Sequence, residues 1–229
     1  MIDIQAVCKH YSSGRGQVAA LADISFAVAP GEGIVLAGRS GSGKTTLLNC
    51  IGTLELPDRG RILCHGIDIC ALSPHRRTLF RRQQVGFVFQ AGNLLPWLTV
   101  AENLQFPLEL NQIRGRAQQR RIEELLAIFG LAGYQRALPA ELSGGEAQRI
   151  AFARAIAHAP AILLADEPTA SLDSANGNQL IELMFSLCRD QKTTLLIATH
   201  DQDLLAMAET ILFVKDGRME NRRCAEKRP

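Results

Sequence analysis

The chain runs to 229 residues, 47% of them hydrophobic and 21% charged, a balance that excludes an intrinsically disordered or collagen-like chain. A formal net charge of +2 is too close to neutral to favour nucleic acid as the main partner. No apolar run approaches the ~18 residues needed to cross a bilayer, and residues 1–4 show no basic flank ahead of an apolar block; a soluble, cytoplasmic protein of one large or two small domains is expected.

In chain order, residues 22–28 predict a strand. Ile34, Val35, Leu36 and Ala37 predict a second, fully buried one, and residues 44–51 the helix that follows. Residues 61–69 and 85–89 are further strand candidates. Arginine pairs at 76–77 and 81–82 and the arginine-rich run 114–121 read as solvated helix faces. Ile122, Leu125, Leu126 and Phe129 recur at helical spacing, and no strong strand is expected between Phe89 and Ala161. Strand signals resume at 161–165, 194–198 and 211–214, with a helix at 176–189. The alternation predicts an α/β fold with a largely parallel sheet, interrupted by a helical insert of residues 91–160. Residues 222–229 are expected to form a basic, disordered tail. The six cysteines (Cys8, Cys50, Cys64, Cys70, Cys188 and Cys224) form no C-x-x-C pair, so reduced thiols are expected, and Cys64, His65 and Cys70 lack zinc-ligand spacing.

Between the strand 34–37 and the helix 44–51 lies Gly38-Arg39-Ser40-Gly41-Ser42-Gly43-Lys44-Thr45, a full match to the phosphate-loop pattern G-x-x-x-x-G-K-[ST]. Glycines let backbone N–H groups wrap a phosphate, and the helix N-terminus adds unpaired donors and partial positive charge. Lys44 is expected to neutralise the terminal phosphates and the Thr45 hydroxyl to ligate Mg²⁺. Gly38, Ser40, Gly41, Ser42, Gly43, Lys44, Thr45 and Thr46 form the expected phosphate cradle. Downstream, Ile162-Leu163-Leu164-Ala165-Asp166-Glu167 is an apolar strand ending in two carboxylates. Asp166 is expected to orient the Mg²⁺ and Glu167 to polarise the attacking water as general base. No asparagine is followed by lysine, as the guanine reader N-K-x-D would require, so ATP is favoured over GTP.

A second anion site is predicted at Leu142-Ser143-Gly144-Gly145-Glu146. Ser143 and Glu146 have capping-box spacing, but two glycines in a first helical turn cost up to ~1 kcal/mol each in helix propensity. They make sense where another group must approach the backbone closely.

With these residues in place, the chain resembles an ATP-binding-cassette (ABC) ATPase over nearly its whole length. Leu142–Gly145 match the first four positions of the L-S-G-G-Q signature, with Glu146 in place of the glutamine. The resemblance implies a P-loop NTPase (RecA-like) α/β core, residues 1–90 and 161–221, with an antiparallel β subdomain and an α-helical subdomain at 91–160. It implies that Tyr11 stacks on adenine, that Gln90 senses Mg²⁺ and the γ-phosphate, that Asp173 lies in the loop at the dimer seam, and that His200 contacts the γ-phosphate. Catalysis would then rest on Glu167, His200, Lys44 and Gln90, metal binding on Thr45, Gln90 and Asp166, and the partner's half-site on Ser143, Gly144 and Gly145. Two cassettes would pair head to tail around ATP, as a homodimer or, as the second choice, a heterodimer, and hydrolysis would weaken that bond.

The run Asn93-Leu94-Leu95-Pro96-Trp97-Leu98-Thr99 is similar to the ATPases of lipoprotein-releasing, macrolide-exporter and cell-division complexes. This likeness implies an integral-membrane permease partner on the cytoplasmic face of the membrane, with Leu94, Leu95 and Trp97 either lining the cleft for its coupling helix or belonging to the core. An energy-coupling ATPase for export or mechanotransmission is the leading function; a regulatory ATPase without cargo is the alternative. The soluble ABC proteins of DNA repair or translation fit poorly, because no long coiled coil, zinc module or second cassette is present.

Overall fold

Alternating apolar residues draw the N-terminal quarter of the chain into an antiparallel sheet. The computed structural model describes residues 1–14, 16–90 and 93–224. Strand β1 (Ile2–Ser13) pairs with β2 (Gly16–Val28) on one edge and with β4 (Arg59–Cys64) on the other, and β4 turns into the short β5 (Ile67–Asp68). The inward residues Ile2, Ile4, Leu21, Ile24 and Ile62 share one core with Leu47 and Leu48 of helix α1 (Lys44–Ile51).

A second, six-stranded sheet carries the site. Its order is β10 (Arg218–Cys224), β9 (Thr210–Lys215), β3 (Gly33–Ala37), β8 (Thr194–Thr199), β7 (Ile162–Asp166), β6 (Val85–Val88), parallel except for the edge strand β10. Strand β8 is buried along its whole length, as expected of a parallel strand covered on both faces. Its residues alternate between two cores: Leu196 and Ala198 face α1 and the antiparallel sheet, while Leu195 and Ile197 join Leu180, Ile181 and Met184 of α6 (Ser174–Asp190). Parallel register sets Ala37 beside Thr199 and Asp166 beside Ala198. The loops after β3, β7 and β8 therefore emerge side by side at one sheet edge, where an open α/β sheet holds its ligand.

Between β6 and β7 the chain is helical: α3 (Val100–Leu110), α4 (Gly115–Ile128), a 3₁₀ turn (Pro139–Glu141) and α5 (Gly144–Ile156). Leu104, Leu108, Leu125 and Leu126 are fully buried there, and Phe129 meets Phe152 edge to face at 5.1 Å. Helices α2 (Pro74–Gln84), capped by Ser73, and α7 (Gln202–Met207) complete the fold. Among the described residues no helix is long and apolar enough to cross a membrane.

Four expectations need correction. The run 61–69 is a hairpin rather than one strand, because His65 and Gly66 take left-handed φ of 50° and 79° and reverse the chain. The strand at 22–28 begins earlier, at Gly16, and its partner β1 escapes a period-two reading because bulges break its register between Ile4 and His10. Arg222–Cys224 are strand, not tail: Arg222 pairs with Leu212 and Cys224 with Thr210, while 225–229 lie outside the described residues, as does Ala91, the expected start of the insert. Arg121 is not a solvated residue. It donates to the carbonyls of Ala157 (3.1 Å) and Ile156 (3.2 Å), satisfying the C-terminal end of α5. Burial pushes the thiols of Cys50, Cys64 and Cys188 up to about 12, which keeps them protonated and unreactive.

Candidate nucleotide-binding and catalytic site

Strand β3 ends at Ala37 and α1 begins at Lys44, so Gly38–Gly43 form the loop between them. Gly43 occupies the N-cap with φ 104°, and a Cβ there would fall 2.3 Å from the Ala20 carbonyl oxygen. Only glycine meets both constraints. No side chain caps α1, which leaves its first-turn N–H groups facing outward as donors. Lys44 is 6% exposed; its ammonium donates to the carbonyls of Gly38 (2.7 Å) and Arg39 (3.1 Å). The Ser42 hydroxyl is buried with no hydrogen-bond partner among the described residues. Orphan donors and a buried cation in one loop fit a phosphate.

Across from the loop, burial raises the Asp166 carboxyl above its ordinary value; the hydrogen bond from Thr45 opposes this, the charge of Glu167 adds to it, and Lys44 opposes it. A hydroxyl beside a carboxylate is a hard oxygen donor pair of the kind Mg²⁺ takes, and a cation would offset the carboxylate's burial. Glu167 sits at φ 46°, a strained left-handed backbone for glutamate, held by its N–H bond to the Ala198 carbonyl at 2.9 Å. Its carboxylate accepts from the Thr199 hydroxyl (3.1 Å) and lies 2.8 Å from His200 Nδ1. The base candidate is thus oriented by two neighbours while His200 stays exposed.

Tyr11, on β1, donates its hydroxyl to Glu55. Asn49 donates to the other oxygen of that carboxylate (3.0 Å), and the Lys9 ammonium lies 5.7 Å from the Tyr11 ring centre. One cleft of about 490 Å³ collects Tyr11, Ser40, Gly41, Ser42, Gly43, Lys44, Thr45, Thr46, Gln90, Asp166, Glu167 and His200. Gly38 faces a separate cavity behind the loop.

Ser143, Gly144, Gly145 and Asp173 line neither cavity. Ser143 caps α5 by accepting from the Glu146 N–H (3.3 Å), and Glu146 returns the bond by accepting from the Ser143 N–H (2.8 Å) and hydroxyl (2.8 Å). Hydrogen bonds from Tyr134 first, then from Ser143, push the Glu146 carboxyl down to about 2. A Cβ on Gly144 would meet nothing nearer than the Ser171 carbonyl at 3.6 Å, and one on Gly145 nothing nearer than Leu172 Cδ2 at 3.8 Å. Packing within the chain does not require either glycine. Asp173 is exposed and caps α6, accepting from the Asn176 N–H at 3.0 Å.

A sequence profile of the ABC transporter family matches residues 21–170. The chain belongs to the ABC transporter family. Relatives of this cassette include an uncharacterized ABC transporter ATP-binding protein of Thermotoga maritima, 38% identical over 96% of this chain and 94% of that one. The lipoprotein-releasing system ATP-binding protein LolD of Bordetella pertussis is 40% identical, covering 93% of this chain and 92% of its own. The ATP-binding cassette MJ0796, solved as a dimer in a post-hydrolysis state bound to ADP and Pi, is similar throughout: TM-score 0.92, 35% identity, 100% of both chains. The protein is therefore an ABC ATPase, the ATP-binding and ATP-hydrolysing subunit of a transporter, working with Mg²⁺.

The cassette also has an apolar groove of about 270 Å³ between β6 and α3, lined by Val85, Phe87, Phe89, Phe106 and Leu110 together with Arg81, Arg82 and Arg154. Of the three residues expected at such a cleft, only Leu95 lines it. Leu94 packs on the core and Trp97, 72% exposed, stands outside. Sequence reading missed Glu55, Thr199 and Tyr134. Each acts on a residue in another motif, and nothing in local spacing signals that.

Proposed function

We propose that two copies of this ABC ATPase close head to tail over ATP and drive an integral-membrane permease of the lipoprotein-releasing or macrolide-exporter kind from the cytoplasmic face of the membrane. The observation that carries the reading is the division of the motifs: a near-complete catalytic set in one open cleft, and outside it a turn with Ser143 and Gly144 exposed and Gly145 half-buried, whose glycines leave unfilled space. A second copy is the natural source of the missing half-site. The dimeric form in which the MJ0796 cassette was solved supports this pairing.

In this reading Tyr11 stacks on adenine, and the first-turn N–H groups of α1, with Lys44, hold the β- and γ-phosphates. Thr45 and Asp166, with Gln90, hold Mg²⁺, which when bound neutralises phosphate charge in the transition state. Glu167 takes the proton of the attacking water, His200 faces the γ-phosphate, and Ser143, Gly144 and Gly145 close the site on the partner's ATP, with Asp173 at the seam. Hydrolysis removes the γ-phosphate contact and lets the copies part. The apolar groove behind Phe87 and Leu95 receives a helix of the permease, which conveys that movement. Export is favoured over pure signalling by the LolD relatives, at 39–40% identity.

Pull-down of the native complex through a tag on this subunit tests the reading. The expected co-purifying chain is a permease with an extracytoplasmic domain that binds lipoproteins or small hydrophobic molecules. A partner that engages a cell-wall hydrolase and no cargo would move the function to signalling.

A further inference from the structure

Residue 146 departs from the family signature, and its surroundings give the departure a consequence. The Glu146 carboxylate accepts from both the N–H and the hydroxyl of Ser143, each at 2.8 Å, and from the Tyr134 hydroxyl. It is ionised throughout the physiological range. Two effects follow. The Ser143 proton, the one side-chain donor in the signature turn, is directed at Glu146 instead of outward. A full negative charge also lies in the first turn of α5 and offsets the partial positive charge which that helix end offers an anion. A glutamine could accept the same two bonds from Ser143 through its carbonyl oxygen without the charge.

We propose that Glu146 loosens the grip of this signature turn on the γ-phosphate held by the other copy, raising the ATP concentration needed for closure and easing reopening. The inference rests on the ATP-sandwich reading above and names the residue that sets its strength. An arriving phosphate must draw the Ser143 hydroxyl away from Glu146. Tyr134 keeps one donor on the carboxylate while that happens, and so acts as a positioning residue.

The test uses the full chain carrying Glu167→Gln, so that hydrolysis does not interfere, and measures by sedimentation the ATP concentration that gives half-maximal dimer. Adding Glu146→Gln should lower that concentration about fivefold, since a charge at a helix end changes anion binding by roughly two- to fivefold and each dimer has two such sites. The gap should narrow as salt rises from about 0.05 to 0.5 M, while the thermal midpoint falls with the loss of the capping charge, so tighter closure cannot be put down to a more stable fold. Tyr134→Phe should act in the opposite direction, leaving Ser143 as the carboxylate's remaining donor. An unchanged or raised ATP requirement in Glu146→Gln overturns the proposal. Absence of any ATP-dependent dimer in the Glu167→Gln parent would overturn the sandwich itself, and the role of Glu146 with it.

Discussion

A buried ammonium persists only where oxygens surround it, and Lys44 has two carbonyls of its own loop for that purpose. Both are neutral, so a phosphate is the better partner. Lys44→Ala should weaken ATP binding by about ten- to a hundredfold, the worth of a charge-assisted hydrogen bond, read from titration with a fluorescent nucleotide. Glu167→Gln should leave that affinity intact and slow turnover by on the order of 10²-fold or more, the usual contribution of a general base. Phosphate release in a coupled assay measures it, and normal turnover would put the base elsewhere. Glu146 makes a pH prediction. Its folded pKa of about 2 lies below the ordinary 4.5, so the ionised carboxylate stabilises the fold above the unfolded value, and that contribution disappears as pH falls from 4.5 toward 2. The difference in thermal midpoint between the wild type and Glu146→Ala should be flat near neutrality and shrink across that acid window.

At the scale of elements, the helical part is fixed to the nucleotide-binding sheet where α5 crosses β6. A Cβ on Gly86 would lie 2.3 Å from the Ala155 carbonyl oxygen and 3.0 Å from Leu163 Cδ1. Gly86→Ala must push α5 off the sheet, and overpacking of this kind costs about 1–3 kcal/mol; urea unfolding should show a lower midpoint with an unchanged slope. Sequence alone shows β3, α1, β7 and β8 well because each is a local pattern, an apolar run or a helix-start signal flanked by motif residues. The long hairpin of β1 and β2 is less visible. Ala6 at φ 50° and the register shifts around it turn side chains out of alternation, and pairing of Ile4 with Phe26 and of Val7 with Ile24 rescues the strand. Arg121 and Glu55 were hidden for a related reason: one satisfies carbonyls about 35 residues away and the other a hydroxyl 44 residues away. Phosphate-loop chemistry is legible because it depends on consecutive backbone N–H groups. The network that orients Glu167 and Tyr11 is tertiary and has no such signature.

For the whole molecule, the question is whether one chain suffices, and Gly145 separates the answers. In the isolated cassette there is room at this position, with Leu172 Cδ2 at 3.8 Å from the place a Cβ would take, and the residue lies outside the cleft that holds Lys44 and Asp166. Gly145→Asp should therefore fold with a near-normal thermal midpoint and bind ATP in its own phosphate loop with unchanged affinity. A carboxylate at the start of α5, however, would stand against the γ-phosphate brought by the other copy, opposing closure by charge as well as bulk. Hydrolysis should fall to near background although binding is retained. A cassette that completed its site alone would lose neither, and one that merely misfolded would lose both. Intact binding combined with lost turnover arises only if the group that Gly145 approaches belongs to a second chain.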